Sequence, residues 1–245
     1  MPPMGDSRRH RGPHPLDHRL FCTDVLPILR DAVSDLSWLR TRGYAEASAA
    51  KLVGDRYQLR RRQRVAVGRC ACSESAKWMR ASRSCEAEEI VGRPLWIDGL
   101  NVITTIEVAL SGGVLLVGRD RCLRDMASFH GSYRLVQETE QAVRILLELV
   151  ACLSPSQTRI YIDRPISNSG RLAGIVRAEA AALRLDVEAL TADNVDEQLK
   201  ASSATVATAD SAILDSCNRW LNLARLAVER NRSALEPLWL LDLSQ

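Results

Sequence analysis

Several common signals are missing from this chain. No run of Gly-x-x-x-x-Gly-Lys or Gly-x-Gly-x-x-Gly type occurs, which argues against a nucleotide cradled by a glycine-rich phosphate loop. The 7 cysteines are an odd number with no Cys-x-x-Cys pair, the opposite of a disulfide scaffold or a zinc ribbon. No apolar run is long enough to cross a bilayer, and none near the start resembles a signal peptide. These absences lead us to expect a cytoplasmic protein with reduced thiols and no membrane partner.

Lysine is also scarce, so the positive charge is almost all arginine, and it is unevenly placed. Residues 1–93 carry 18 Lys/Arg against 11 Asp/Glu (net +7), and residues 94–245 carry 15 against 19 (net −4), consistent with totals of 33 and 30. A basic front and an acidic back suit a polyanion gripped by one part and processed by the other.

Residues 1–18 are rich in Pro, Arg, His and Gly without apolar periodicity and read as a mobile tail. His10, His14, His18 and Cys22 recur every four residues, but Pro13 and Pro15 forbid the helix that would align them on a metal. Apolar positions at helical spacing predict helices over 23–40, 45–57 and 61–72, a small basic helical module over 19–75. Arg56, Arg60, Arg61, Arg62, Arg64 and Arg69 fall in one stretch without an acid, a phosphate-binding surface in charge and spacing. The same stretch can also be a solvated face that pairs with the acidic part, or a helix-turn-helix. A linker is expected over 76–93.

From 94 to 245 the pattern alternates. Strands are expected near 95–98, 114–117, 159–162, 186–190, 205–208 and 238–243. Helices are expected over 102–110, 134–152, 171–184, 195–201 and 211–229. This alternation predicts an α/β domain with a parallel sheet. Three strands end at Asp98, Asp163 and Asp210, and Asp196 opens the helix after the strand ending near Thr191. Carboxyl ends of parallel strands share one edge, where ligands bind, so these acids converge. Each alone reads as a helix N-cap; four in one sheet read as a site for Mg²⁺ or Mn²⁺, which take oxygen ligands. Asp98, Asp196 and Asp210 are the expected metal ligands. Arg119, Arg121, His130 and Arg134 sit in a loop-rich insertion over 111–134 that suits substrate contact, a lid or a dimer contact. His130, the only histidine of this half, invites a general-acid reading, but a lone His beside Gly and Ser is more often a turn or capping residue.

The run Asp98-Gly99-Leu100-Asn101 resembles the Asp-Gly-x-Asn opening of the NYN branch of PIN-like nucleases, which includes the YacP-like endoribonucleases. The strand ending at Asp163, the acidic helix start at Thr191 through Glu197, and Thr208-Ala209-Asp210 follow in matching order over residues 94–245. The resemblance implies a five-stranded parallel sheet and metal-dependent hydrolysis of phosphodiester bonds, in RNA rather than DNA. It also implies roles for Asp98 and Asp210 as metal-binding acids, Asn101 as an active-site asparagine, and Asp163 and Asp196 as further acids. The whole chain is similar to a group of prokaryotic proteins that join a small helical module to such a domain, a group with no assigned activity. A catalytically inactive nucleic-acid-binding or regulatory protein is the alternative function, and assembly into a homo-oligomer is left open.

Overall fold

The computed structural model describes residues 10–127, 133–235 and 237–245. The chain opens with a single turn, α1 (Asp17–Leu20), and three helices: α2 (Leu26–Thr41), α3 (Glu46–Arg56) and α4 (Arg61–Cys70). Helix α5 (Glu74–Arg83) then fills most of the expected linker. Ser73 caps it by accepting from the Ala76 N–H, and Arg80 and Arg83 sit in its last turn, where cations oppose the helix dipole.

The main sheet follows. Its strands are β1 (Pro94–Asp98), β4 (Gln157–Asp163), β5 (Val187–Ala192), β6 (Thr205–Ala207) and β7 (Trp220–Leu221), in the order β5-β4-β1-β6-β7 and all parallel. Strand β1 lies in the middle, so successive strands are added first on its β4 side and then on its β6 side. The β1/β6 junction is therefore the point at which strand order reverses, where open α/β sheets bind ligands.

Helices cover both faces. Helices α6 (Gly99–Leu110), α7 (Thr139–Leu153), α8 (Ser169–Ala182) and α11 (Leu223–Arg230) share one core with Ile97, Ile160 and Ile162. On the opposite face α9 (Val195–Lys200) and α10 (Ser211–Leu214) pack on Tyr161, Val206 and Trp220. Alternate residues of β1 and β4 thus feed opposite cores, as a strand's period of two requires.

Two expectations fail here. The helix expected over 211–229 is broken into α10, the short edge strand β7 and α11. Trp220 is buried with its indole N–H donating to the Arg80 carbonyl, and it pairs with β6, so sheet pairing overrides the helical periodicity. The terminal strand, β8 (Leu240–Asp242), does not join the main sheet. It pairs in parallel with β2 (Leu115–Val117), which pairs antiparallel with β3 (Leu123–Asp125), to give a second, three-stranded sheet, β3-β2-β8. The insertion and the carboxyl terminus are thereby joined.

This small sheet also completes the amino-terminal core. Leu29, Val33 and Leu36 of α2 and Val67 of α4 are buried together with Val114, Leu116, Leu241 and Leu243. The amino-terminal helices consequently share a core with the insertion instead of closing one among themselves. Among the described residues no helix is long and apolar enough to cross a membrane. None of the 7 cysteines is bridged, and burial pushes the Cys70 and Cys122 thiols up to about 12.

Candidate active site

Asp98 ends β1 and caps α6. Its carboxylate accepts from the Asn101 N–H at 3.3 Å and from the Thr208 hydroxyl at 2.8 Å. The intervening Gly99 is required by packing, because a Cβ there would lie 2.8 Å from the Ile160 side chain and 2.9 Å from the Tyr161 carbonyl oxygen. Helix α6 can therefore start directly against β4 only with glycine at this position. Asn101 faces the neighbouring strand end, and its side-chain oxygen accepts from the Ala209 N–H at 2.8 Å. Thr208 in turn accepts from the Asp210 N–H at 3.1 Å, and Asp210 caps α10 by accepting from Ala212 and Ile213. The Asp-Gly-x-Asn and Thr-Ala-Asp segments are thus interlocked across the strand-order reversal, and the lock aims both carboxylates at one edge.

The four acids of that edge repel one another. Asp98 is only 7% exposed, and burial raises its pKa to about 7, with Asp163 and Asp210 adding to the shift. Asp163 is raised by burial and then by Asp196, and Asp196 by burial and then by Asp210. Lys200 opposes the shift at Asp196, whereas at Asp98 and Asp163 the upward contributions are burial and neighbouring acids. A negative cluster of this kind has the chemistry of a divalent-cation site. The carboxylates do not, however, gather round one point. Among the described residues no three His, Cys, Asp or Glu side chains stand close enough to share an ion.

A buried ion network fixes the backbone that carries Asp210. Asp120 receives Arg124 through both guanidinium nitrogens, at 2.8 and 2.6 Å, and Arg80 at 2.6 Å, and these arginines hold its carboxyl at about 2 against the cost of burial. Arg124 also donates to the Ala209 carbonyl at 3.0 Å, and Arg80 to the Ser211 carbonyl at 3.4 Å. Both flanks of Asp210 are therefore clamped, one from β3 and one from α5. These positioning residues were not legible in the sequence, because an arginine on a short strand and another at a helix end look like ordinary solvated charges.

The expected arginine surface is only partly assembled. Arg62 is spent on buried Asp17 in a two-point contact at 2.7 and 2.8 Å, Arg64 on Asp55 at 2.8 Å, and Arg56 on Asp35 at 3.5 Å. Arg60, Arg61, Arg62 and Arg134 line a cavity of about 1170 Å³ together with Arg19, whereas Arg56 and Arg64 lie elsewhere. Arg119 pairs with Glu74 at 2.7 Å, and the backbone of Arg121 takes bonds from Asn222 and Arg225; neither residue is part of the lining of the cavity beside Asp210 described next. His130 lies outside the described residues. A second cavity of about 330 Å³ adjoins Asn101 and Asp210 and is walled in part by Arg69. Arg69 was grouped with the arginine surface by charge; it instead reaches the β3 arm, donating to the Asp125 and Ala127 carbonyls.

Comparison with known proteins matches residues 87–226, 140 of the 245, to the family described as "Domain of unknown function (DUF5616)". The chain belongs to the DUF5616 family. The matched DUF5616 segment contains every strand of the main sheet and all four acids, and it stops short of β8. Residues 28–83 match a second family, described as "Protein of unknown function (DUF434)", a segment that runs from within α2 to the end of α5. The chain is similar to the uncharacterised protein MJ0935 of Methanocaldococcus jannaschii, 28% identical over 190 residues, which cover 78% of this chain and 90% of that protein. No solved structure matches the chain.

Proposed function

We propose that the chain is a metal-dependent nuclease of PIN-like type that hydrolyses phosphodiester bonds, with RNA as the substrate. The observation that carries this reading is the set of four mutually repelling acids, Asp98, Asp163, Asp196 and Asp210, at the strand-order reversal of a parallel sheet. The cavity lined by Arg19, Arg60, Arg61 and Arg134 supports a polyanionic substrate, because clustered cations attract a phosphate backbone.

Asp98, Asp196 and Asp210 would have to turn toward a common point to hold Mg²⁺ or Mn²⁺, whose chemistry is to offset charge on the phosphoryl oxygens and to make water a better nucleophile near neutral pH. Asp98 sits deepest and is fixed in place by Asn101 and Thr208, so it serves as the anchor. Asp163, half-buried and raised in pKa, is the residue suited to hold a proton on the incoming or departing oxygen. Asn101 keeps the two strand ends in register through Ala209, and the Arg80-Asp120-Arg124 network keeps Asp210 from turning away.

A non-catalytic nucleic-acid-binding role is the second reading. It is favoured by the absence, among the described residues, of three acids close enough to share an ion. The deciding experiment is incubation of end-labelled single-stranded RNA and DNA with the purified chain and Mn²⁺ or Mg²⁺, beside an Asp98→Asn, Asp210→Asn double variant. Cation-dependent cutting by the wild type alone supports the nuclease; binding without cutting by either protein supports the second reading.

A further inference from the structure

Among the described residues the exposed Trp and Tyr rings all surround one joint between helices. Trp38 near the end of α2 is 51% exposed, Tyr44 just past that end 55%, and Trp78 of α5 72%. The Glu74 N–H that opens α5 donates to the hydroxyl of Thr41, the last residue of α2, at 3.0 Å. Trp38 lies three residues before Thr41 and Trp78 four residues after Glu74, and side chains at those spacings share a helix face. At 1.5 Å per residue, each tryptophan Cα is within about 6 Å of that bond along its own helix axis. The other tryptophans are withdrawn: Trp96 packs on Tyr161, Trp220 lies in the core, and Trp239 stacks on His18.

The charge at the joint favours a polyanion. Arg42 lies 3.5 Å over the Trp38 ring and, like Lys77 beside Trp78, makes no ion pair among the described residues. The acids nearby are engaged: Glu46 by Arg40, Glu74 by Arg119 at 2.7 Å, and Asp35 by Arg56 and by the Tyr57 hydroxyl. Exposed rings beside unspent cations suit a single strand, since every base has a face to stack and every phosphate a charge to meet. A second copy of the chain fits less well, because a two-fold contact through this patch would set the same cations against each other.

We propose that the α2/α5 joint is a stacking platform for single-stranded nucleic acid, with bases on Trp38 and Trp78 and phosphates at Arg42 and Lys77. Tyr44 supplies a third ring at the end of α2. The proposal goes beyond the nuclease reading and does not depend on it, because stacking needs neither a metal nor a cut. It gives the segment over 28–83 a role of its own, a sequence-tolerant grip on unpaired strand. A duplex is refused, since its bases are already stacked on one another.

The test is titration of the full chain with a uridine homopolymer of about 12 nucleotides, in chelator so that nothing is cut, followed by tryptophan fluorescence. Stacking on Trp38 and Trp78 should quench the emission as the strand binds. Trp38→Ala and Trp78→Ala should each weaken binding at least about fivefold, and Phe at either position should recover most of the loss, because a ring remains. Melting temperatures should stay at the wild-type value, since both side chains are exposed. The Arg60→Ala, Arg61→Ala variant should bind more weakly yet reach the full quench at saturation, which separates the platform from the basic cavity. An abasic strand, or a duplex of the same length, should bind without the quench. Wild-type affinity in a Trp38→Ala, Trp78→Ala double variant, or saturation without quenching, would overturn the proposal and leave the nuclease reading untouched. So would a dimer, seen by sedimentation, that the double variant loses while its strand affinity stays at the wild-type value, which would assign the joint to a second copy.

Discussion

Replacing Asp98 by Asn should stabilise the metal-free protein at alkaline pH. Burial holds the Asp98 carboxyl at about 7, some three units above the usual value of about 3.9 for a free aspartate. Between those two values the folded chain keeps a proton that the unfolded chain has lost. Stability is therefore highest below the unfolded value, falls as pH rises toward 7, and stays low above it. At about 1.4 kcal/mol per unit, the penalty at pH 8 is about 4 kcal/mol. Asparagine has no charge to lose, and it retains both hydrogen bonds: its oxygen accepts from the Asn101 N–H, and its amide donates to Thr208, whose hydroxyl turns to accept. For a chain of this length about 1 kcal/mol corresponds to roughly 2–4 °C, so the variant should melt up to about 8–16 °C higher at pH 8. Near pH 4 the two proteins should melt together. The assay is thermal unfolding followed by circular dichroism from pH 4 to 8 in the presence of a chelator. A variant that melts at or below the wild-type temperature at pH 8, or whose difference from wild type does not change with pH, would refute the reasoning.

Other outcomes follow from the same geometry. Mn²⁺ at a hundred times its dissociation constant should stabilise the wild type by about 2.7 kcal/mol and leave Asp98→Asn, Asp210→Asn unmoved, measured in the same melts. Asp120→Ala strands the buried Arg80 and Arg124 and should cost about 3–5 kcal/mol in urea unfolding, whereas breaking a surface pair such as Lys51–Asp55 should leave the unfolding midpoint nearly unchanged. Arg60→Ala and Arg61→Ala together should weaken polynucleotide binding and flatten its salt dependence without changing the melting temperature, since both side chains are exposed and line the basic cavity.

Most of the parallel sheet was legible because β1 and β4 are short apolar runs ending in an acid, β5 and β6 are apolar runs with an acid soon after, and the helices between these strands keep a regular period. Asp98, Asp163, Asp196 and Asp210 could be assigned to one edge from that pattern alone. The interlock of Asn101 with Ala209 and of Thr208 with Asp98 was not, because it joins residues about a hundred positions apart and leaves no trace in local periodicity. Strand β7 was hidden for a different reason: two residues are too few to interrupt a helical pattern, and only pairing with β6 makes them a strand. The arginine-rich stretch shows the limit of reading charge without partners. Asp17, Asp35 and Asp55 neutralise Arg62, Arg56 and Arg64, and none of these pairings follows from sequence spacing.

The measurement that bears most directly on a hydrolytic carboxylate site is cleavage of single-stranded RNA in ¹⁸O-enriched water with Mn²⁺, with the product ends read by mass spectrometry. Attack by water at the Asp98–Asp210 edge predicts one ¹⁸O in each new terminal phosphate, no cyclic phosphate, and no product from the Asp98→Asn, Asp210→Asn variant. Cyclic phosphate ends, or cutting that survives in the variant, would contradict it.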